Sequence, residues 1–352
     1  MRNLEKTKMG KKFHINQSTG IPLYKQVVSH IEQQIISGEY EPGLQLPSMN
    51  DLAEDLDISR ETVKKAYMIL RNRDMIEPKQ GKGFYVKGLE KDRALRILLL
   101  FDKLSSYKQE LFDSFRDNIG SEAKVTIRIH EKNLDVFELF IDEGVDNFDY
   151  YVVTPHFEQD STTQKRMLKL LRRFPNRKLI LLDHNVPQLP GNYGVVYQDF
   201  SNDIKAALSA GMDRLRKYTK LNVVIMPNSL YGHLICKSVE GFCRENSVPF
   251  EIHNGVSEAI IRKGEAYLML NSQHDTGLIT FAREAEKSGL KIGEDVGVIS
   301  YNDSPLNEII LNGLTSVSAD FKQMGKLAAE MILSKSMSKV KCNFNLVIRN
   351  TF

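Results

Sequence analysis

The sequence predicts an α/β protein in two parts: a small helical head closed by a β-hairpin, and a larger region built on parallel sheets. Three observations carry this expectation. Apolar residues recur every four positions at 23, 27, 31 and 35. The period then changes across a glycine-rich turn at 80–83, and from 95 onward short apolar runs alternate with amphipathic segments. A chain of 352 residues exceeds one ordinary core and fits two or three domains.

Composition narrows the class. Hydrophobic residues make up 41% and charged residues 26%, which is normal for a globular protein. Met1–Asn16 is studded with Lys6, Lys8, Lys11 and Lys12 and has no apolar core, so no secretory signal is expected. The longest apolar runs, Ile97–Phe101 and Val223–Met226, are strand-length, far below the ~20 residues of a membrane helix. Cys236, Cys243 and Cys342 form no C-x-x-C pair, so neither a disulfide framework nor a zinc site is expected. A cytoplasmic protein without membrane contact follows as the expectation.

Element by element, Ile21–Ser37 reads as the first helix, ended by Gly38 and followed by the Pro42-Gly43 turn. Ser48 is placed to cap a short helix over Met49–Leu56. Ser59 is placed to cap a third running to about Arg73, with Val63, Ala66, Tyr67 and Leu70 inward and Arg60, Lys64 and Arg71 off that stripe. Met75–Pro78 and Phe84–Val86 read as strands around Gln80-Gly81-Lys82-Gly83. A short helix, a turn and a basic helix make a helix-turn-helix, and the hairpin makes it winged. The second helix of such a pair lies in the major groove, and only a slim tip fits the ~6 Å minor groove. Charge placement agrees: Glu39–Asp57 holds six acidic residues and no Lys or Arg, whereas Ser59–Gly88 holds eight basic residues against three acidic.

These residues carry a resemblance. Leu46-Pro47-Ser48, Asp51-Leu52-Ala53, Ser59-Arg60-Glu61-Thr62-Val63 and Gln80-Gly81-Lys82-Gly83-Phe84 resemble the GntR-family DNA-binding domain over about residues 17–88. The resemblance implies that Arg60 and the first turn of its helix meet base edges or phosphates, that Ser48 and Thr62 contact phosphate, and that the tip Gln80, Gly81, Lys82 and Gly83 enters the minor groove. Ser59 and Lys65 complete the expected contact set. Asn50 and Lys64 stand where the family often has arginine, weakening one phosphate contact and removing bidentate geometry at the other.

After a short charged linker (89–94), residues 95–352 alternate strands and helices. Strands are expected at Leu95–Phe101, Tyr150–Val153, Leu179–Leu182, Val223–Met226, Tyr267–Leu270 and Val296–Ser300. Helices are expected from about Gln109 and over Thr163–Phe174, Asp203–Lys217, His233–Glu245 and Asp275–Ser288. Ligands of parallel sheets bind beyond the carboxyl ends of the strands, here marked by Asp102, Thr154, Asp183, Asn271–Asp275 and Asn302–Asp303. Carboxylates and amides there suit a hydroxyl-rich ligand, although such residues also cap helices.

The stretch Ile292-Gly293-Glu294-Asp295-Val296-Gly297-Val298 with Ser300-Tyr301-Asn302-Asp303, continued by Leu314-Thr315-Ser316-Val317 and Met324-Gly325-Lys326, resembles the LacI/GalR effector domain. That resemblance implies a two-lobed, periplasmic-binding-protein-like fold crossed three times by the chain. It also implies a homodimer on a palindromic double-stranded operator and a small effector in the cleft, a monosaccharide or alternatively a nucleobase or nucleoside. It places Asp183, His274, Asp275, Asn302 and Asp303 at the ligand and Phe321 against a ring face; Asp102, at its strand end, and Tyr107, of the loop Lys103–Tyr107, are expected beside them. His274 stands where the family has asparagine, Asn302 where it has aspartate, and Ser238 where an arginine grips the ligand. The last change favours a neutral, smaller ligand. The linker lacks room for the hinge helix of LacI-type proteins. No Gly-x-Gly-x-x-Gly follows the first strand, no Walker loop, Gly-x-Ser-x-Gly or His-Glu-x-x-His occurs, and the eight histidines lack ligand spacing. A transcription regulator, more often repressor than activator, without catalysis, cofactor or metal, is the resulting expectation.

Overall fold

In the first helix, α1 (Leu23–Ile36), the four-residue spacing of Val27, Ile31 and Ile35 puts these side chains, with Val28, on one buried face. The computed structural model that shows this describes residues 15–16, 20–87, 94–121, 123–225, 229–270 and 276–352. Two compact units emerge, one running to Arg96 and taking in Gly144–Phe148, the other comprising Ile97–Glu143 and Asp149–Phe352. Most of the expected linker, and His274 and Asp275, lie outside the described residues.

In the first unit, α2 (Met49–Asp55) begins at Ser48, whose hydroxyl accepts from the Asp51 amide at 3.1 Å. In the same way α3 (Arg60–Asn72) begins at Ser59, which accepts from the Thr62 amide at 3.1 Å. Tyr67 is fully buried on α3; its hydroxyl donates to the Pro47 carbonyl at 2.8 Å and its ring meets Phe84 edge-on at 5.1 Å. One side chain thereby ties α3 to the turn before α2 and to the hairpin. Strands β1 (Ile76–Lys79) and β2 (Gly83–Val86) pair antiparallel from Ile76–Val86 to Lys79–Gly83. Gly81 (φ +71°) and Gly83 (φ +96°) hold the tip in backbone conformations that L side chains rarely adopt. The wing is thus written in the sequence by its glycines.

The second unit runs β3 (Arg96–Phe101), α4 (Ser106–Ile119), β4 (Lys124–Ile129), α5 (Leu134–Gly144), β5 (Tyr150–Val153), α6 (Ser161–Leu171), β6 (Leu179–Asp183), β7 (Gly194–Tyr197) and α7 (Asp203–Ala210). It continues through α8 (Met212–Leu215), β8 (Lys220–Ile225), α9 (Gly232–Glu245), β9 (Phe250–Asn254), β10 (Glu265–Leu270), α10 (Thr276–Lys287) and β11 (Gly297–Tyr301). It closes with β12 (Thr315–Ala319), α11 (Phe321–Leu333), β13 (Lys339–Lys341) and β14 (Phe344–Val347). The strands form two six-stranded sheets, in the orders β13-β7-β6-β5-β3-β4 and β14-β12-β11-β10-β8-β9. Parallel pairing dominates, with β14 antiparallel to β12. Helices covering both faces explain why β3, β6, β10 and β11 are almost wholly buried, apolar runs rather than alternating strands. Each sheet is one lobe, and the chain passes between them after β7, after β12 and after β13.

Several elements depart from the sequence expectation. Helix α4 begins at Ser106 rather than near Gln109, so Tyr107 and Lys108 belong to its first turn and are buried. The helix expected over Asp203–Lys217 is broken at Gly211, where a Cβ would come 2.6 Å from Leu346 Cδ2. Strands β4, β7, β9, β12, β13 and β14 are not among the expected strands; β4 and β9 are half-exposed edge strands, and β7 is a four-residue strand opened by Gly194.

Helix α11 returns to the first lobe and packs on α4. At Gly325 a Cβ would meet the Leu111 carbonyl oxygen and come 2.9 Å from the Phe115 amide nitrogen. Gly325→Ala is therefore expected to cost about 1–3 kcal/mol by overpacking, read as a lowered urea midpoint. The exposed neighbour Lys326→Ala should change it by less than about 0.5 kcal/mol.

Candidate functional site

The head exposes Arg60 and Lys64 on α3 and Lys82 on the wing. Arg60 projects from the first turn of α3 with its side chain 60% exposed, and Lys64 reaches Glu61 at 3.2 Å. Exposed ion pairs of this kind are weak. The expected residues are placed unequally. Ser48 and Ser59 serve as helix caps, and Ser59 also shares a 2.8 Å hydrogen bond with the Thr62 hydroxyl. Asn50 is exposed on the first turn of α2. Lys65 lies 4.0 Å from the centre of the Tyr24 ring, so its ammonium is drawn toward α1. At the wing, Gln80, Gly81, Lys82 and Gly83 are all exposed, and Gln45 braces the tip by donating to the Lys82 carbonyl at 2.6 Å.

Between the lobes of the second unit lies a cavity of about 60 Å³, lined by Asp102, Tyr107, Asp183 and Asn302 among the expected residues. Asp183 and Asn302 occupy equivalent places, at the ends of β6 and β11, and both have left-handed backbone (φ +71° and +73°). Short polar side chains tolerate that conformation best, which accounts for an aspartate and an asparagine there. Asp303 and Phe321 are not in the wall. Arg349 grips both Asp303 carboxylate oxygens at 2.8 and 2.9 Å, and Ser316 donates to one of them at 2.7 Å. Phe321 sits behind Tyr107, ring centres 4.6 Å apart.

The wall also contains residues that sequence reasoning did not single out: Lys103, Lys108, Lys132, His156, Gln198, Phe200, Tyr231 and Tyr301. Two of them, His156 and Gln198, bond to Asp183. Its Oδ2 accepts from His156 Nε2 at 2.9 Å and its Oδ1 from Gln198 Nε2 at 2.6 Å. His156 Nδ1 accepts in turn from the Tyr231 hydroxyl at 2.9 Å, and Gln198 Oε1 from the Tyr301 hydroxyl at 3.0 Å. Tyr231 and Tyr301 belong to the second lobe, so a continuous network spans the cleft with one carboxylate at its centre. The signal available in the sequence was positional only: Gln198 and His156 follow strands closely, as ligand-facing residues of parallel sheets do.

Electrostatics follow from burial. Lys108 is 1% exposed and ion-paired with Asp102, whose Oδ1 also accepts from the Thr154 hydroxyl at 3.1 Å. Burial pushes the Lys108 ammonium down to about 8, opposed by Asp183 and helped by Lys132. Burial also holds His156 below the ordinary histidine range, so the neutral ring donates to Asp183 through Nε2. Burial acts against ionisation of Asp183, but His156, Lys108 and Gln198 outweigh it and hold the carboxyl well below the usual range. Phe200 and Tyr231 stack in parallel with centres 4.0 Å apart and form an apolar face at the rim. Among the described residues, no group of His, Cys, Asp and Glu is arranged to hold a metal ion.

Fold and site together define a two-module protein, a winged helix-turn-helix and a two-lobed α/β fold with a polar cavity between its lobes, on one chain. Residues 23–86 match the model of bacterial regulatory proteins of the gntR family, and residues 244–342 match that of a periplasmic binding protein-like domain. The chain is 35% identical over 88 residues to the HTH-type transcriptional repressor NagR of Bacillus subtilis (strain 168), covering 25% of this chain and 36% of that one. It is 41% identical over 96 residues to the mannosyl-D-glycerate transport/metabolism system repressor MngR of Escherichia coli (strain K12), covering 27% and 38%. The chain thus spans less than two-fifths of the length of these curated relatives. In fold it is similar to a dimeric Lac repressor with an 11-residue C-terminal deletion (TM-score 0.59, 16% identity, 73% of this chain and 98% of that one). It is also similar to a periplasmic binding protein/LacI transcriptional regulator from Alkaliphilus metalliredigens QYMF complexed with D-xylulofuranose (TM-score 0.56, 13% identity, 73% and 99%). The chain thus carries a segment that matches a gntR-family regulatory domain ahead of one that matches a periplasmic binding protein-like domain.

The buried histidines make stability depend on pH. Burial lowers His130 to about 3 and His184 to about 4, and lowers His156, whereas an unfolded histidine titrates near 6.5. Below 6.5 the unfolded chain takes up protons that the folded chain refuses, so stability present above 6.5 is lost as pH falls. The expected loss at pH 5 is on the order of 2 kcal/mol for each of His130 and His184. Urea unfolding at pH 7 and pH 5 measures it, and His130→Phe should flatten the dependence.

Proposed function

We propose that this protein is a DNA-binding transcription regulator, acting as a repressor whose hold on its operator is relieved by a small sugar in the cleft of the second unit. The observation that carries this reading is the presence on one chain of an exposed basic α3 with a glycine-tipped wing and a polar cavity at the strand ends of a two-lobed fold. In this reading α3 enters the major groove, with Arg60 at base edges or phosphate and Lys64 at phosphate, while Lys82 lies in the minor groove between the two phosphate walls. Ser48, Asn50 and Thr62 add neutral hydrogen bonds to the backbone of the duplex.

The effector role rests on the cleft. A cavity of about 60 Å³ is smaller than the ~300–1,000 Å³ of ordinary ligand pockets, so entry of a monosaccharide requires the lobes to separate. Separation breaks the His156–Tyr231 and Gln198–Tyr301 hydrogen bonds, and closure around ligand re-forms or replaces them. A ligand with different affinity for the two arrangements shifts their populations, and a coupling of ~1–3 kcal/mol changes operator affinity by roughly 5–150-fold.

Two copies on a palindromic operator complete the proposal. The face offered for their contact is an apolar hollow on the second lobe, about 870 Å³, lined by Leu278, Ile279, Leu290, Ile310 and Leu311. Ile279 at 49% and the adjacent Ile309 at 73% exposed leave it open to a partner.

Two experiments test this. With operator fragments selected from genomic DNA, Arg60→Ala should weaken binding by roughly tenfold or more and leave ligand binding intact; unchanged DNA affinity removes the central contact. Ile279→Asp should turn a dimer into a monomer by sedimentation and weaken operator binding in parallel. A dimer that survives the charge places the contact elsewhere.

A further inference from the structure

The cleft carries more positive than negative charge. Its described wall holds Lys103, Lys108 and Lys132 but only two carboxylates, Asp102 and Asp183. Both acids are already engaged. Asp102 Oδ1 is shared by Lys108 and Thr154, and the two oxygens of Asp183 take one hydrogen bond each from His156 and Gln198. An ammonium has three donors, and Lys108, with its side chain 1% exposed, has water excluded from around it. Lys132 stands on the turn after β4, lines the same cavity and acts on Lys108 as a like charge. Two lysines that line one small cavity repel each other, and an anion between them relieves that repulsion.

We infer that the ligand of this cleft carries a negatively charged group, a phosphate or carboxylate on a sugar or polyol, seated between the ammonium groups of Lys108 and Lys132. The inference rests on reading the cleft as the effector site, and it reverses the neutral ligand expected from Ser238. The positive charge that the second lobe lacks at residue 238 is supplied by the first lobe, from the first turn of α4 and the turn after β4. Lysine suits this task as a compact point charge that binds either anion without demanding a planar partner. The remaining wall fits a hydroxyl-rich body: Asn302 offers an amide, and the Phe200–Tyr231 stack offers a ring face.

The test uses the full chain and a set of aldohexoses and aldopentoses, each presented as the neutral sugar, its terminal phosphate and its onic or uronic acid, with binding read by calorimetry. A charged form is expected to bind roughly tenfold or more tightly than its neutral parent and to weaken with added salt. The phosphate and acid arms distinguish the two anions. Lys132→Gln, at a half-buried position, should remove that preference. Because Lys108→Met strands Asp102, the paired change Lys108→Met with Asp102→Asn is the companion variant, and it too should abolish the preference. Neutral sugars binding as tightly as their charged forms would falsify this inference and leave the sugar-effector reading standing. Binding by no member of the set overturns both, and a charge preference unaltered in both variants overturns the assignment to Lys108 and Lys132.

Discussion

A single ionised carboxylate, that of Asp183, organises the second unit. Burial alone would neutralise it, since an unpaired charge in such surroundings costs several kcal/mol. It stays ionised because His156 and Gln198 donate to it and Lys108 stands near. Each donor is itself fixed by a further hydrogen bond, and two of those come from Tyr231 and Tyr301 across the cleft. The desolvation of one acid is thus offset by groups from both lobes, and their relative position is coupled to its charge. Lys108 closes the same arrangement from α4 by neutralising Asp102. Few alternatives satisfy so many buried polar atoms at once, and a network of this kind is worth more intact than the sum of its bonds.

The two modules use charge in opposite ways. The head keeps Arg60, Lys64 and Lys82 in water, on α3 and on the wing, where they are cheap to hold and strongly screened. Packing there is left to a small apolar cluster around Tyr67 and Ile31. In the cleft the charges are few, and the buried ones, Lys108, Asp102 and Asp183, each have large effects on their neighbours. The first arrangement suits fast, salt-sensitive contact with a polyanion. The second suits recognition of a small molecule by a handful of placed groups.

Much of this was legible in the sequence, for reasons that differ by region. The head is local: its stripes, serine caps and glycine tip are each decided within a few residues, and α1, α2, α3 and the hairpin fall within about two residues of expectation. The strand ends are nearly as readable, because a polar residue that closes a buried parallel strand emerges at the mouth of the sheet; Asp102, Asp183 and Asn302 all line the cavity. Lys108 was not legible. A lysine four residues into a polar run reads as solvent-facing, and its burial is decided by Asp102 and Asp183, the second of them far along the chain. His156, Gln198 and Tyr231 fail for the same reason, since their partners come from different strands. Asp303 shows the converse error: its place beside Asn302 suggested ligand contact, yet Arg349 claims it. Phe321 erred by one layer, backing Tyr107 instead of facing the cavity.

The return of α11 and β13 to the first lobe has a consequence for how the molecule is made. β13 completes the edge of the first sheet beside β7, and α11 covers α4, yet both follow the whole second lobe in sequence. On a ribosome the first lobe therefore emerges as an incomplete layer, its β7 edge and the α4 surface uncovered, until residue 341 has been made. Maturation of the two lobes is a joint event rather than a succession, and contacts of such long sequence separation slow it. The cell thus meets a vulnerable nascent chain for most of its synthesis, with an early-folding head already attached.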